Sequence, residues 1–479
     1  MLLIDYTRLQ GKVEELDGRA CCLTLFSQYD KMCKTYSGGS ATMATIKFEC
    51  PCGKLKALNE NGTILALGIP FAITERFQSP ELITHWPDSL DATGQETDCF
   101  QRSSFEDTSG SFYYKEFRQG RHFQYAESPM TLNIISPSLE GKHPVLLFIH
   151  GGSFETGTVG ELPYGTSTEY AKRGIVLVSV GYRLNVFGMH GGVNYCLMDQ
   201  IAAVDWVRQN ISAFGGDPDN ITIMGQSAGA MCVMDLLCSG KLAGKIGHAV
   251  MMSGAGIVPG IASPVTRKKS REFWNKADAA VSGAPAKADP IDLWQAWKKT
   301  QSTYKLIKGY RFSQPCIDGQ VMSESQKKAV KSGRIQNIPI MLGVTSQDFL
   351  PVILYEMALK LGILCSKAGH APVYGYFFDR ILPGNSFKAF HAADLWYMFG
   401  NMDHSWRPFN EIDYTLSSEM MDEVASFCRK GKPENSSWLP ISKNQKGFRL
   451  YDGVSSGLVY PLFCRRKMLH TMLRDPGPM

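Results

Sequence analysis

The chain has 479 residues, 44% hydrophobic and 20% charged, an ordinary globular composition that can bury a large core without staples. Its formal net charge of +5 is small for that length and gives no reason to expect nucleic acid or an anionic membrane as a partner. No apolar run reaches the roughly 18 residues of a membrane span, so no transmembrane segment is expected.

The opening Met1-Leu-Leu-Ile-Asp5 meets a charge too early for the basic start and apolar stretch of an export signal, and a cytoplasmic location is expected. Residues 1–44 read as an N-terminal extension, closing on the linker-like Ser37-Gly-Gly-Ser-Ala-Thr42. Residues 45–479 read as one α/β domain. The 13 cysteines are an odd number scattered through apolar segments, so reduced, buried thiols are expected. Cys21, Cys22, Cys33, Cys50 and Cys52 are the densest group. They lack paired CxxC spacing and a nearby histidine, so no metal is expected there.

From about Thr45 the pattern becomes regular. Val145-Leu-Leu-Phe-Ile149 and Gly174-Ile-Val-Leu-Val-Ser-Val180 are continuous apolar runs, as central parallel strands covered on both faces require. Asp199 to Phe214 is predicted as a helix with Ile201, Val204, Val207 and Ile211 on one face. Gly215-Gly-Asp-Pro-Asp-Asn220 ends it, and Ile221-Thr-Ile-Met224 starts another strand. His248–Met252 and Ile338–Val344 have the same character. Strands alternating with helices predict an α/β fold with a mostly parallel sheet.

Gly225-Gln-Ser-Ala-Gly229 joins the strand ending at Met224 to an apolar helical segment, Ala228 to Leu237. G-x-S-x-G by itself is weak, but a strand turning sharply into a helix is the setting in which it presents a nucleophile. Ser227 is therefore the candidate nucleophile, held near the positive end of the following helix. A serine attacking a carbonyl needs donors for the oxygen that becomes negative. His150-Gly-Gly-Ser-Phe154 follows an upstream strand, and glycines let its amides approach. The amides of Gly152, Ser153 and Ala228 are the candidate oxyanion hole.

These residues resemble the type-B carboxylesterases, the family that also contains the cholinesterases. The resemblance runs from about Gly62 to the C-terminus and is closest in character to the non-secreted, bacterial-type members. It rests on Gly68-Ile-Pro-Phe-Ala72, on Leu132-Asn-Ile-Ile-Ser-Pro137 and on the block from Phe214 to Ala230. It implies the α/β-hydrolase fold, with helical cap insertions around 254–333 and 350–364. In that fold the catalytic acid follows the serine, and the histidine comes last. Gly343-Val-Thr-Ser-Gln-Asp348 resembles the acid-bearing loop and implies Asp348, although the family usually has Glu followed by Gly where this chain has Asp followed by Phe349. His391, with an acidic residue three positions later, matches the histidine segment. His404, in a nearby polar loop, is the competing candidate.

Two departures carry information. Cys99 matches the first cysteine of an early disulfide in secreted relatives, and the partner position holds Pro129, in keeping with a reducing compartment. The loop 100–128 contains no tryptophan where cholinesterases resemble each other in placing one, and Gln226 replaces the glutamate common before the nucleophile. Both departures point away from a choline ester and toward a small neutral ester.

The implied activity is hydrolysis of carboxylic esters through an acyl-enzyme, with no metal or organic cofactor. The alternative is an inactive binding or scaffold member, whose sequence typically lacks a triad residue. The triad chemistry leaves amides, carbamates and lactones open as substrates. The substrate pockets are expected along 254–333 and the loop 350–364. The aromatic and Met residues there (Phe273, Trp274, Trp294, Tyr304, Tyr310, Phe312, Met357) read equally well as core. Oligomeric state is not encoded in any motif.

Overall fold

The apolar runs form the centre of a sheet that has 13 strands among the described residues of this computed structural model. Those residues are 43–94, 97–256, 264–308, 314–384, 388–455 and 457–474. The segment 37–42, Cys21, Cys22, Cys33, Tyr310 and Phe312 lie outside them. The main strands are β1 (Ala44–Cys50), β2 (Gly53–Glu60), β3 (Thr63–Pro70), β4 (Thr131–Ser136), β5 (His143–Ile149) and β6 (Val176–Val180). They continue with β7 (Gly216–Gln226), β8 (His248–Met252), β9 (Ile340–Thr345), β10 (Val373–Phe378), β11 (Phe448–Tyr451) and β12 (Leu458–Val459). Their order in the sheet is β1-β2-β3-β4-β6-β5-β7-β8-β9-β10-β11-β12, with a short strand, Leu90–Ala92, beside β2.

The seven strands from β6 to β11 along this order are parallel to one another. β3, β4 and β12 join antiparallel at the flanks. Parallel strands are buried on both faces, and alternate residues enter two separate cores. Leu147 and Ile223 face the first core, with Trp206, Val233 and Leu361 from the helices over it. Phe148 and Met224 face the second, with Trp396, Met420 and Phe427. The compact unit containing this sheet runs from Thr45 to Met479. Among the described residues no helix is long and apolar enough to cross a membrane.

The helices used below are α1 (Phe112–Phe117), α2 (Tyr195–Asn210), α3 (Ala228–Ser239), α4 (Arg267–Asp278), α5 (Pro290–Lys308), α6 (Gln326–Lys331), α7 (Pro351–Lys367), α8 (Leu395–Phe399) and α9 (Glu411–Lys430). α2 departs from its single-face prediction. Val204 and Val207 are buried, but so are Leu197, Ala203 and Trp206 around the cylinder, while Ile201 is only half-buried. The helix has little solvent face because its polar positions are used inside: Asp199 meets the buried Arg183 at 2.6 Å. It begins four residues earlier than predicted, and its last turn, Ile211–Phe214, is a 3-10 turn ended by Gly215 at φ 72°. β7 also begins earlier, at Gly216. Its pairing jumps from His143–Gly216 to Val145–Ile221, so Asp217–Asn220 bulge from the ladder.

The segment 350–364 is not a loop. It lies mostly in α7, whose Tyr355, Leu359 and Leu361 are buried in the first core, because its apolar residues recur at helical spacing.

Two buried carboxyls make contrasting electrostatic demands. Glu116 of α1 receives Arg407 Nε at 2.7 Å and Nη2 at 3.0 Å, together with the indole N–H groups of Trp396 and Trp406. It thereby ties α1 to α8 and the segment after it. Glu116→Gln leaves the buried Arg407 charge unbalanced, and denaturant unfolding is expected to show a loss of about 3–5 kcal/mol; an unchanged midpoint refutes the assignment. Asp235 of α3 accepts from the Gln326 amide N–H of α6, and burial pushes its carboxyl up to about 8. An acid with a raised folded pKa stabilises nothing by ionising; the folded state loses stability as pH rises from about 4 to 8. Asp235→Asn is therefore expected to stabilise progressively over that window, by at most about 5 kcal/mol, and to do little at pH 4. Thermal midpoints of both proteins across pH test this, and a gain independent of pH contradicts it.

Candidate active site

Ser227 stands at the turn between β7 and α3 with φ 56° and ψ −120°, a conformation rarely adopted by a residue with a side chain. Its amide donates to the Met252 carbonyl at 2.8 Å, which fastens the turn to the end of β8. Gly229, in the first turn of the helix, has no room for a side chain: a Cβ there would lie 2.1 Å from the Ile149 carbonyl oxygen. The helix can follow the strand this tightly only because that position is glycine.

The loop after β5 lies beside the serine. Gly152 has φ 105°, followed by Ser153 at 58° and Phe154 at 61°. The run of positive φ turns successive amides toward one side, and the Gly152 carbonyl caps the turn by accepting from Glu155 and Thr156, both at 3.0 Å. Among the described residues, the amides of Gly152, Ser153 and Ala228 donate to no protein acceptor. His150, which opens the loop, shares a 2.9 Å contact with the Gly151 carbonyl and stacks on Tyr182 at 4.5 Å. Burial pushes its imidazole down to about 4, so it is neutral at pH 7 and adds no charge beside the loop. Gln101 brackets the far end, donating to Gly157 O at 3.0 Å and accepting from Gly157 N at 3.1 Å.

His391 Nε2 lies 2.8 Å from Ser227 Oγ, and His391 Nδ1 lies 2.5 Å from Asp348 Oδ1. One neutral tautomer satisfies both contacts, with the Ser227 hydroxyl donating to Nε2 and Nδ1–H donating to the carboxylate. Asp348 is fully enclosed and also accepts from the Phe349 amide at 2.9 Å and from Thr345 Oγ1 at 3.1 Å. Burial alone raises its pKa. The neighbouring His391 charge, the hydrogen bond to His391 and that from the Phe349 amide outweigh this effect and hold it below the ordinary carboxylate value. The acid and histidine segments are stapled directly: Gln347 N donates to Ala389 O at 3.0 Å, and Gln347 bridges Phe390 in parallel pairing. Gln226 Nε2 sits 3.4 Å from His391 Nε2, a neutral amide beside the imidazole.

Asp394, three residues beyond His391, is a second buried carboxyl near the site. Burial pushes it up to about 7, the Tyr376 hydroxyl at 2.8 Å partly offsets this, and the nearby Asp348 charge adds to the rise. His404 is exposed and does not line the cavity, so it is not brought to Ser227.

Ser227 and His391 open into a cavity of about 600 Å³. Its apolar wall is aromatic: Tyr113 and Phe117 from α1, Trp294 and Trp297 from α5, and Phe349. Of the described aromatic and Met residues considered from sequence in 254–333 and 350–364, only Trp294 lines it. Phe273, Trp274, Tyr304 and Met357 are buried away from it, and among the described residues nothing from 350–364 reaches it. Tyr113, Phe117 and Trp297 were not anticipated; the aromatic run Phe112-Tyr-Tyr-Lys-Glu-Phe117 is the signal that marked the first two. Gln101 carried no signal, since its role is a contact across 56 residues. Among the described residues no three His, Cys, Asp or Glu side chains converge to hold a metal, and Cys99 is a free, buried thiol.

Comparison with known proteins matches this arrangement to a family. The carboxylesterase family model matches residues 53–362 and 359–453. The chain is 30% identical over 466 residues to the para-nitrobenzyl esterase of Bacillus subtilis (strain 168), covering 82% of this chain and 88% of that protein. It is 24% identical over 504 residues to carboxylesterase 4A of Bos taurus, covering 85% and 91%. Among solved structures, a thermophilic PNB esterase superposes with a TM-score of 0.74 at 25% identity, covering 88% of this chain and 99% of that one. A carboxylesterase of Geobacillus stearothermophilus gives 0.71 at 25% identity with the same coverage. The architecture is the α/β-hydrolase fold, and the chain belongs to the carboxylesterase family as a carboxylic-ester hydrolase.

Proposed function

We propose that the chain cleaves small neutral carboxylic esters through an acyl-enzyme carried on Ser227, with His391 as general base and acid and Asp348 as its orienting carboxylate. The observation that carries this reading is the continuous contact from Ser227 Oγ through both nitrogens of His391 to Asp348. His391 Nε2 takes the hydroxyl proton as Oγ bonds to the ester carbon. The carbonyl oxygen becomes negative within reach of the Gly152, Ser153 and Ala228 amides, which donate to no other group among the described residues. The alkoxy group leaves with the proton from Nε2. Water then repeats the cycle on the acyl-enzyme, losing its proton to Nε2, and Ser227 recovers one as the carboxylic acid departs. Asp348 stays ionised throughout, holding the tautomer and stabilising the imidazolium.

Neutral substrates suit the surroundings. Gln226 puts an amide beside the imidazole, and Arg118 and Glu161 in the cavity wall pair with each other at 3.3 Å.

Hydrolysis of p-nitrophenyl acetate, butyrate and octanoate by the native protein and by Ser227→Ala tests the reading. The variant is expected to lose at least about 10⁴-fold in kcat, and the trend with chain length sizes the acyl pocket. Equal rates in both proteins reject Ser227. Asp348→Asn is expected to lose about 10⁴-fold in kcat with its fold intact, because the amide favours the wrong imidazole tautomer. A loss below tenfold removes Asp348 from the triad.

A further inference from the structure

Phe349 follows Asp348 directly and is 53% exposed although it borders the active-site cavity. It does not pack into either core. The ring lies against the His391 imidazole, with centroids 4.3 Å apart and planes inclined at 37°. Across from it stands Tyr113, centroid to centroid 6.5 Å at 54°, half-buried and backed by Phe112 and Phe117. The two rings therefore form an open aromatic corner whose inner edge is the imidazole.

The chemistry decides which part of a substrate meets that corner. The leaving alkoxide must take its proton from His391 Nε2, so its oxygen passes within hydrogen-bond reach of the imidazole. The carbonyl oxygen is drawn instead toward the loop Gly152–Ser153 and the start of α3. The acyl chain and the alcohol leave the ester carbon in different directions, and it is the alcohol that runs along His391 and onto the ring beside it. A flat group placed there gains ring contact with Phe349 and Tyr113 beyond simple burial of apolar area.

We propose that Phe349 is a specificity-determining residue which, with Tyr113, selects esters whose leaving alcohol carries an aromatic ring. The inference rests on the triad reading above and names the alcohol side of the same site. Its backbone amide also holds Asp348, and substitution of the side chain leaves that hydrogen bond available.

Benzyl acetate and ethyl acetate test it, because both give the same acetyl-enzyme and differ only in the unactivated alcohol released. In Phe349→Ala and Phe349→Leu the ratio of kcat/KM for benzyl over ethyl ester is expected to fall roughly three- to tenfold. In Phe349→Tyr the ratio is expected to return to within twofold of the native value. A ratio that stays within twofold of native in Phe349→Leu, whether or not both rates fall together, overturns the proposal, since the ring then acts only on the triad or on nothing. Turnover of both acetates that survives Ser227→Ala is a different result, and it overturns the triad reading instead.

Discussion

The arrangement depends on one close approach of backbone to backbone. Gly229 in the first turn of α3 lies against the end of β5, so near the Ile149 carbonyl that no side chain fits between them. That contact brings the loop Gly151–Phe154, which follows Ile149, and the turn at Ser227, which precedes Gly229, into one site. Its cost is the strained backbone of Ser227, of order 1–3 kcal/mol, which surrounding structure must over-determine. The hydrogen bond from Ser227 N to Met252 O, the two apolar cores and the parallel pairing of β7 with β5 and β8 supply that constraint. The site sits at the C-terminal edge of the sheet, where the chain steps from β6 back across β5 to β7. Loops diverge at such a switch point and leave a crevice.

The remaining members arrive from further along the same edge. β9 delivers Asp348 and the loop after β10 delivers His391, and the Gln347–Phe390 bridge locks the two loops in register. Electrostatics then separates carboxyls that would otherwise compete. Asp348 is held ionised by the imidazole and the Phe349 amide. Asp394, equally buried and accepting from the neutral Tyr376 hydroxyl, is pushed toward its protonated form by burial and by the nearby Asp348 charge. Two buried charges so close together would raise each other's energy, and a single ionised carboxylate on Nδ1 avoids this. Glu116, with Arg407 and two indole N–H groups around it, anchors the wall of the cavity to the segment that follows His391.

The cavity wall shows how a common fold acquires a particular site. Its polar base comes from the backbone at Gly151–Ser153 and from Ser227 and His391, whereas its sides are aromatic rings from α1, α5 and Phe349. The rings come from segments far apart in sequence, and they are supported differently. Trp294 and Trp297 are buried in the packing around α5, and Phe349 is held only by its neighbours at the mouth.

Much of this was legible from residues alone. The runs Val145–Ile149 and His248–Met252 are apolar on both faces, which only a covered parallel strand tolerates, and they became β5 and β8 nearly to the residue. The strand-turn-helix context of Gly225–Gly229 announced the sharp turn at Ser227 because that backbone geometry is a local demand, written in neighbouring residues. Asp348 and His391 were named through family motifs, and only the folded chain sets Asp348 against His391 and His391 against Ser227 and leaves His404 outside. Local pattern misjudged α2, because a helix buried nearly all round uses its polar residues for internal pairs such as Asp199–Arg183, and no periodicity reports a partner 16 residues away. It likewise assigned the substrate wall to 254–333 and 350–364: the first range supplies Trp294 and Trp297, but the apolar residues of the second turn inward to the sheet, and Tyr113 and Phe117 were overlooked. The physical reason is the same throughout. A turn or a strand is specified by the chemistry of adjacent residues, whereas a cavity is the space left between side chains from distant segments, and only tertiary packing decides which of them face it.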